Sequence, residues 1–144
     1  MSEDERTSDA TERRRFEPPM SEAGEPFWAA TRDRRLVLPW CPACDVPHWY
    51  PRDVCPRCLG SAIEWREASG RATVHACSVM PKPAMPVLAD RVPYVVALVD
   101  LAEGVRMMTN VVGVDPWSVT VGQAVVADWE PLTDGRNLLV FRPA

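Results

Sequence analysis

Four thiols are spaced to act together in this chain: Cys41-Pro-Ala-Cys44 and, ten residues later, Cys55-Pro-Arg-Cys58. Each Cys-x-x-Cys pair makes a tight turn that puts two thiolates on one side and turns backbone amides towards the sulfurs. Two such pairs converge on one tetrahedral ion. Four thiolates leave no place for water, so the pattern is that of a structural zinc site and not of a catalytic one. The gap is shorter than the roughly fifteen to twenty residues of the common double motif; it suits a short ribbon with two knuckles. Disulfides fit poorly, because Cys77 makes the cysteine count odd and the N-terminus has no secretory pattern. A thioredoxin-type pair needs a single Cys-x-x-Cys in a βαβ setting. A rubredoxin-type iron site uses the same four sulfurs, and spacing alone leaves it open.

Other chemistry is sparse. His48 lies between the two cysteine pairs, but with four sulfurs available it is read as a surface residue of the ribbon. His75 and Cys77 are two apart on an expected strand, which would place them on one face. A Cys–His pair is the catalytic reading of that spacing; neighbours by chance is the other. There is no nucleophile elbow or phosphate loop.

The elements that must hold the cysteines follow from pattern and punctuation. The chain has 144 residues, 47% of them hydrophobic and 25% charged, enough for one compact core with a small appendage. Its 15 prolines argue against long helices. Residues 1–26 hold eight acidic side chains against four arginines and so carry the whole net charge of −4, leaving the rest neutral. Residues 1–24 are read as a disordered tail, too polar to offset the entropy of ordering. A short helix starts at Ser21 or Glu25, with Pro26 in its first turn. It carries Phe27 and Trp28, which need something to pack on, either this chain or a partner, and it ends before Pro39. Residues 25–66 make up the helix and zinc ribbon, with Trp40, Trp49 and Tyr50 shielding a unit that has little core of its own.

Residues 67–144 then read as strands and turns. Arg71–Met80 alternates in part, with Ala72, Val74 and Ala76 on one face. Tyr94–Leu101 is the strongest strand, and Glu103-Gly104 turns it into Val105–Val114. Gln123–Trp129 and Asn137–Phe141 follow, the latter after Asp134-Gly135. Five short strands with a long first connection fit an OB-fold barrel. The class is therefore mainly β, a short helix and a rubredoxin-like four-cysteine zinc ribbon followed by a five-stranded OB-fold. The long connection, Pro81 to Pro93, exposes Met85, Val87 and Leu88, which contact a partner or a long apolar ligand, or else cap the barrel. No apolar run reaches the ~20 residues of a membrane span, and a reducing, cytoplasmic setting suits the thiols.

These residues together resemble a known family. Phe27-Trp28, the double Cys-x-x-Cys ribbon with Tyr50-Pro-Arg52 before its second pair, Ser69-Gly70-Arg71, and the strand Pro93–Leu101 with Glu103-Gly104 carry the likeness. Thr109-Asn110, Val121-Gly122 and the ending Phe141-Arg-Pro143 extend it across residues 25–143. The family is that of zinc-ribbon plus OB-fold acyl-CoA-associated proteins. The resemblance implies a non-catalytic accessory subunit of a thiolase-superfamily enzyme, a thiolase or a retro-aldolase in lipid or steroid side-chain degradation. The barrel would help shape that enzyme's passage for the CoA thioester, in an assembly of two enzyme and two accessory chains. A MaoC-like enoyl-CoA hydratase is the alternative partner. Zinc held by Cys41, Cys44, Cys55 and Cys58 is the implied cofactor, and Phe27, Trp28, Met85, Val87 and Leu88 are candidate contacts to the partner or acyl-CoA. Asp45 and Leu59 stand where the family often has glycine, so the knuckle turns are a point of departure. A single-stranded nucleic-acid reading of the OB-fold would require a basic stripe with stacking aromatics, which the neutral globular part lacks.

Overall fold

The computed structural model describes residues 17–144. Helix α1 spans Glu25–Arg32, with Pro26 in its first turn, an acidic residue at its start and a basic one at its end. Phe27 and Thr31, four apart, form its buried face. Its C-terminal end is tied down by the last strand, Asn137–Pro143: the Asn137 side-chain amide donates to the Thr31 carbonyl at 2.7 Å, and Asn137 N–H donates to Thr31 Oγ1. The Thr31 carbonyl at this helix end thus accepts twice, from Asn137 and from the Arg34 N–H.

The ribbon is a three-stranded antiparallel sheet of β1 (Val37–Cys41), β2 (Val46–Pro47) and β3 (Glu64–Glu67), with β1 in the middle. The barrel follows as β4 (Arg71–Met80), β5 (Tyr94–Leu101), β6 (Arg106–Val111), β7 (Ala124–Pro131) and β8 (Asn137–Pro143). It closes in the order β4-β5-β6-β8-β7. One core serves both parts. Phe27, Leu36 and Leu38 from the helix and ribbon pack in the same cluster as Val74, Val99, Val125 and Phe141 of the barrel. The expected strands are therefore present, and no helix among the described residues is long and apolar enough to cross a membrane.

Two details depart from simple alternation. The β4–β5 register shifts between Val74 and Ala76, a β-bulge centred on His75. Ala72 and Val74 point inward before it; Cys77 and Val79 pack on the core after it. Ala76 thus leaves the inward row expected for it, because one extra residue reverses every later side chain. The second detail is the tie between the chain before α1 and the β7–β8 turn. Most of the expected tail, residues 1–16, lies outside the described residues. Residues 17–24 run along the barrel: Glu17 accepts from Thr133 N–H and Oγ1, and the Pro18 carbonyl accepts from Arg136. Arg136, with its side chain only 6% exposed, also pairs with Asp134 at 2.7 Å and lies 4.6 Å over the Trp28 ring.

Arg136→Ala leaves the Pro18 carbonyl without its partner, leaves Asp134 only the backbone N–H of residue 136, and removes the cation over Trp28. A loss of about 2–3 kcal/mol is expected in urea denaturation. Arg142→Ala, at a half-exposed ion pair 3.9 Å long, should change stability by less than about 0.5 kcal/mol.

Candidate functional site

The four cysteines converge as their spacing requires. Cys41 ends β1 and Cys44 follows in the turn to β2, while Cys55 and Cys58 form the second knuckle. Their sulfurs all lie within 4.8 Å of one another. Cys41 and Cys58 are 3.7 Å apart, and Cys44 and Cys55 are 4.0 Å apart. A tetrahedron with zinc–sulfur bonds of about 2.3 Å has edges of roughly 3.8 Å, so the set fits one zinc ion. Backbone amides face the sulfurs: Cys44 N–H to Cys41, Arg57 N–H to Cys55 and Gly60 N–H to Cys58, at 3.3–3.5 Å. The donor set also needs a cation. Shared hydrogen bonding, first with Cys58, pushes the Cys44 thiol up to about 12. The amides of Cys58 and Arg57 bring Cys55 down to about 7. Four adjacent thiolates are compatible only with positive charge between them.

Asp45 and Leu59, in the places where glycine was expected, hold the left-handed backbone at φ 54° and 61°. The knuckle geometry is kept with non-glycine residues, at a cost on the order of 1 kcal/mol each. Asp45 offsets it by accepting from the Trp40 indole and facing Arg66.

His48 is not a ribbon surface residue. It is 7% exposed, outside the four-sulfur cluster, and both ring nitrogens are buried with no hydrogen-bond partner among the described residues. Its backbone N–H donates to the Pro39 carbonyl, which extends the β1–β2 ladder by one residue. Burial lowers its pKa, opposed by the Arg52 backbone and reinforced by the Arg52 charge. His75 and Cys77 do not form a pair. His75 faces outward to Asp100 and Arg106, at 3.3 and 3.1 Å, as alternation from Val74 requires, while the bulge turns the Cys77 thiol inward, where it reaches the Val119 carbonyl.

The five candidate contact residues lie around one surface feature. Strands β6 and β8 run parallel and share a single register pair, Val111 with Phe141, so they diverge on either side of it. An apolar trough follows the gap. One end, about 400 Å³, is walled by Phe27, Trp28, Trp49, Tyr50 and Met107. The other, about 630 Å³, is bounded by Met85, Leu88, Tyr94 and Val114. Met108, Thr109, Leu138 and Leu139 belong to both ends. Val87 lies in an adjoining recess that shares Leu88 and Leu138. The structure distinguishes among the five. Phe27 and Leu88 are buried in the chain's own core, so of the two alternatives for Phe27 the chain itself supplies the packing; Met85 is 44% exposed. Phe27 meets Trp28 and Trp49 edge-on at about 5 Å. Met108, the most exposed residue of the floor, was not among the expected contacts. The clue was an apolar side chain at an outward position of β6, next to the inward Met107.

Comparison with known proteins turns on these same two units. Residues 28–64 match the family model of the ChsH2 rubredoxin-like zinc ribbon domain, and residues 65–130 that of the ChsH2 C-terminal OB-fold domain. This chain belongs to the ChsH2 (DUF35) family. The solved Ltp2-ChsH2(DUF35) aldolase contains a chain that superposes with a TM-score of 0.79 at 37% identity, over 88% of this chain and 98% of that one. A probable enoyl-CoA hydratase alpha subunit of Thermomonospora curvata is 41% identical over 119 residues, 82% of this chain. A DUF35 domain-containing scaffold protein of Methanothermobacter thermautotrophicus is 35% identical over 86 residues, 59% of this chain. The chain spans 37% of the hydratase subunit's length and 64% of the scaffold's. The ChsH2 assignment agrees with the donor set in giving this ribbon one zinc.

Two measurements follow for the site. Purified protein should carry one zinc per chain by elemental analysis, and Cys55→Ala should lose both the metal and the cooperative melting of the ribbon. A visible sulfur-to-iron absorption band in place of zinc would contradict the assignment. For His48, the unfolded ring takes up a proton below about pH 6.5 while the folded ring resists it. The unfolded state therefore binds more protons in that window, and stability falls as pH drops through it. His48→Phe should show a smaller fall in melting temperature than wild type between about pH 7.5 and 5.5, acid loss of zinc being common to both.

Proposed function

We propose that this chain is a non-catalytic accessory subunit that binds a thiolase-superfamily acyl-CoA enzyme and lends one wall to its CoA-thioester passage. The observation that carries the reading is the apolar trough along the β6–β8 gap. Its combined floor of Met108, Thr109, Leu138 and Leu139 leaves methionine and leucine surface open to whatever seats there. Exposed apolar surface of this kind marks binding sites, and the flexible methionine thioether adapts to its occupant. Trp28, Met85 and Val87 are the contacts proposed from the original five. Phe27 and Leu88 support the wall from behind.

The names of the relatives point the same way. One is the aldolase formed by Ltp2 with ChsH2, another a scaffold, a third the alpha subunit of a probable enoyl-CoA hydratase. The aldolase neighbour matches this chain over nearly its whole length, which favours a thiolase-type partner. The hydratase subunit is the specific observation behind a second reading, in which the partner is a MaoC-like hydratase.

Co-expression with a thiolase-like and, separately, with a hydratase-like acyl-CoA enzyme decides between the two. The expected result is one stable complex, two chains of each kind by native mass spectrometry, with enzyme turnover dependent on the complex. Separate proteins, each fully active, would overturn the proposal. Met108, 64% exposed, offers the point test: Met108→Glu should weaken assembly at least tenfold, about 1.4 kcal/mol, with zinc content and melting temperature unchanged.

A further inference from the structure

The barrel is closed, yet half of β4 has a neighbour on one side only. Strand β7 pairs with β4 at Arg71, Ala72 and Thr73, and residues Gly122 and Gln123 extend the ladder to Val74. Beyond the bulge, Ala76–Met80 pairs with β5 alone, from Leu98 to Tyr94. Every second residue of that run therefore turns its N–H and C=O away from β5. Among the described residues, no backbone or side-chain group takes up these outward bonds. Among the described residues, the Cys77 thiol donates to the Val119 carbonyl beside this edge.

Natural proteins guard such edges with lysine, proline or an inward charge. Ala76-Cys77-Ser78-Val79-Met80 has none, and the first breaker is Pro81. The loop beside the edge adds to the exposure. Trp117 and Val121, on either side of Val119, are 66% and 67% exposed. A row of free N–H and C=O groups recognises one kind of occupant, an extended polypeptide. Open apolar side chains flanking the row suit alternate residues of that same strand.

The choice between a second copy and a different protein rests on magnitude and position. The run offers roughly four to six backbone bonds, each worth about fivefold in an association constant, too little to hold two copies together unaided. It is better placed as the margin of a larger contact. Register pairs Met80 with Tyr94 and Ser78 with Val96, and both Tyr94 and Val96 wall the trough. Strand β4 thus lies one strand spacing from the surface already proposed to seat the enzyme, and a strand added at its free edge lies two, about 10 Å. We infer that Ala76–Met80 is a strand-addition site, where an extended segment of the partner enzyme pairs with β4 and sets the orientation of the subunit. This rests on the accessory-subunit reading.

The test is amide hydrogen exchange on the full chain, free and in complex with its thiolase-like enzyme. Amides within 76–80 that face away from β5 should exchange at least tenfold more slowly in the complex. Ser78→Lys, which puts a charge on the edge at an exposed side chain, should weaken assembly about tenfold without loss of zinc. Assembly with unchanged exchange at 76–80 overturns strand addition and leaves the subunit reading intact. Protection that grows with concentration in the free chain overturns it as well, in favour of a second copy. A wild-type chain that forms no complex overturns the subunit reading itself.

Discussion

Four thiolates drawn within 4.8 Å of one another repel unless a cation sits among them, and much of this molecule's shape depends on that constraint. The ribbon has three strands, of five, two and four residues, too little to bury a core unaided. Metal supplies the missing closure. The loop between the two knuckles carries Trp49, Tyr50 and Pro51, which wall one end of the trough. Zinc does not meet the trough, yet it fixes the segment that shapes it. A structural metal and a binding surface are separate features of the sequence, joined in the fold.

The barrel contributes the other half by the way it closes. A parallel contact of one register pair between β6 and β8 is enough to complete the cylinder at one level. On either side the strands part, and the side chains at the gap line a cleft. An antiparallel closure zipped along its full length would have covered Leu138 and Leu139 with backbone. OB-fold barrels leave this opening by topology, so the site follows from strand order as much as from residue type.

How much of this was legible in the sequence varies with the range of the interaction. The cysteine set, Pro26 in the first turn of α1, and the alternation of Tyr94–Leu101 are local signals, and the structure bears them out. The bulge at His75 was not legible, because it depends on where β5 pairs, and so the expected neighbourhood of His75 and Cys77 fails. His48 was misplaced for a related reason. With four sulfurs available to the metal it reads as a surface residue, and only the packing of the ribbon puts its ring out of water. Phe27 looked unpacked because its partners, Trp49 and the barrel core, lie across the fold. Met108 did leave a trace, as an apolar side chain out of phase in β6, but one residue out of phase does not reveal a trough made from four distant segments.

Arg136 shows how these parts are kept in one arrangement. It is a buried cation, costly on its own, and its environment compensates with Asp134, the Pro18 carbonyl and the Trp28 face. These three partners belong to the β7–β8 turn, the chain before α1 and α1 itself. Trp28 has Arg136 over its ring and also walls the trough, so the guanidinium holds the wall residue that a bound partner would press against. An apolar residue at 136 would fill the space but leave the carbonyl unpaired, the carboxylate with only the backbone N–H of residue 136, and Trp28 free to choose another rotamer. The charge is therefore best understood as a device for orientation: the trough is made of adaptable apolar side chains, and its geometry is set by polar contacts and a metal outside it.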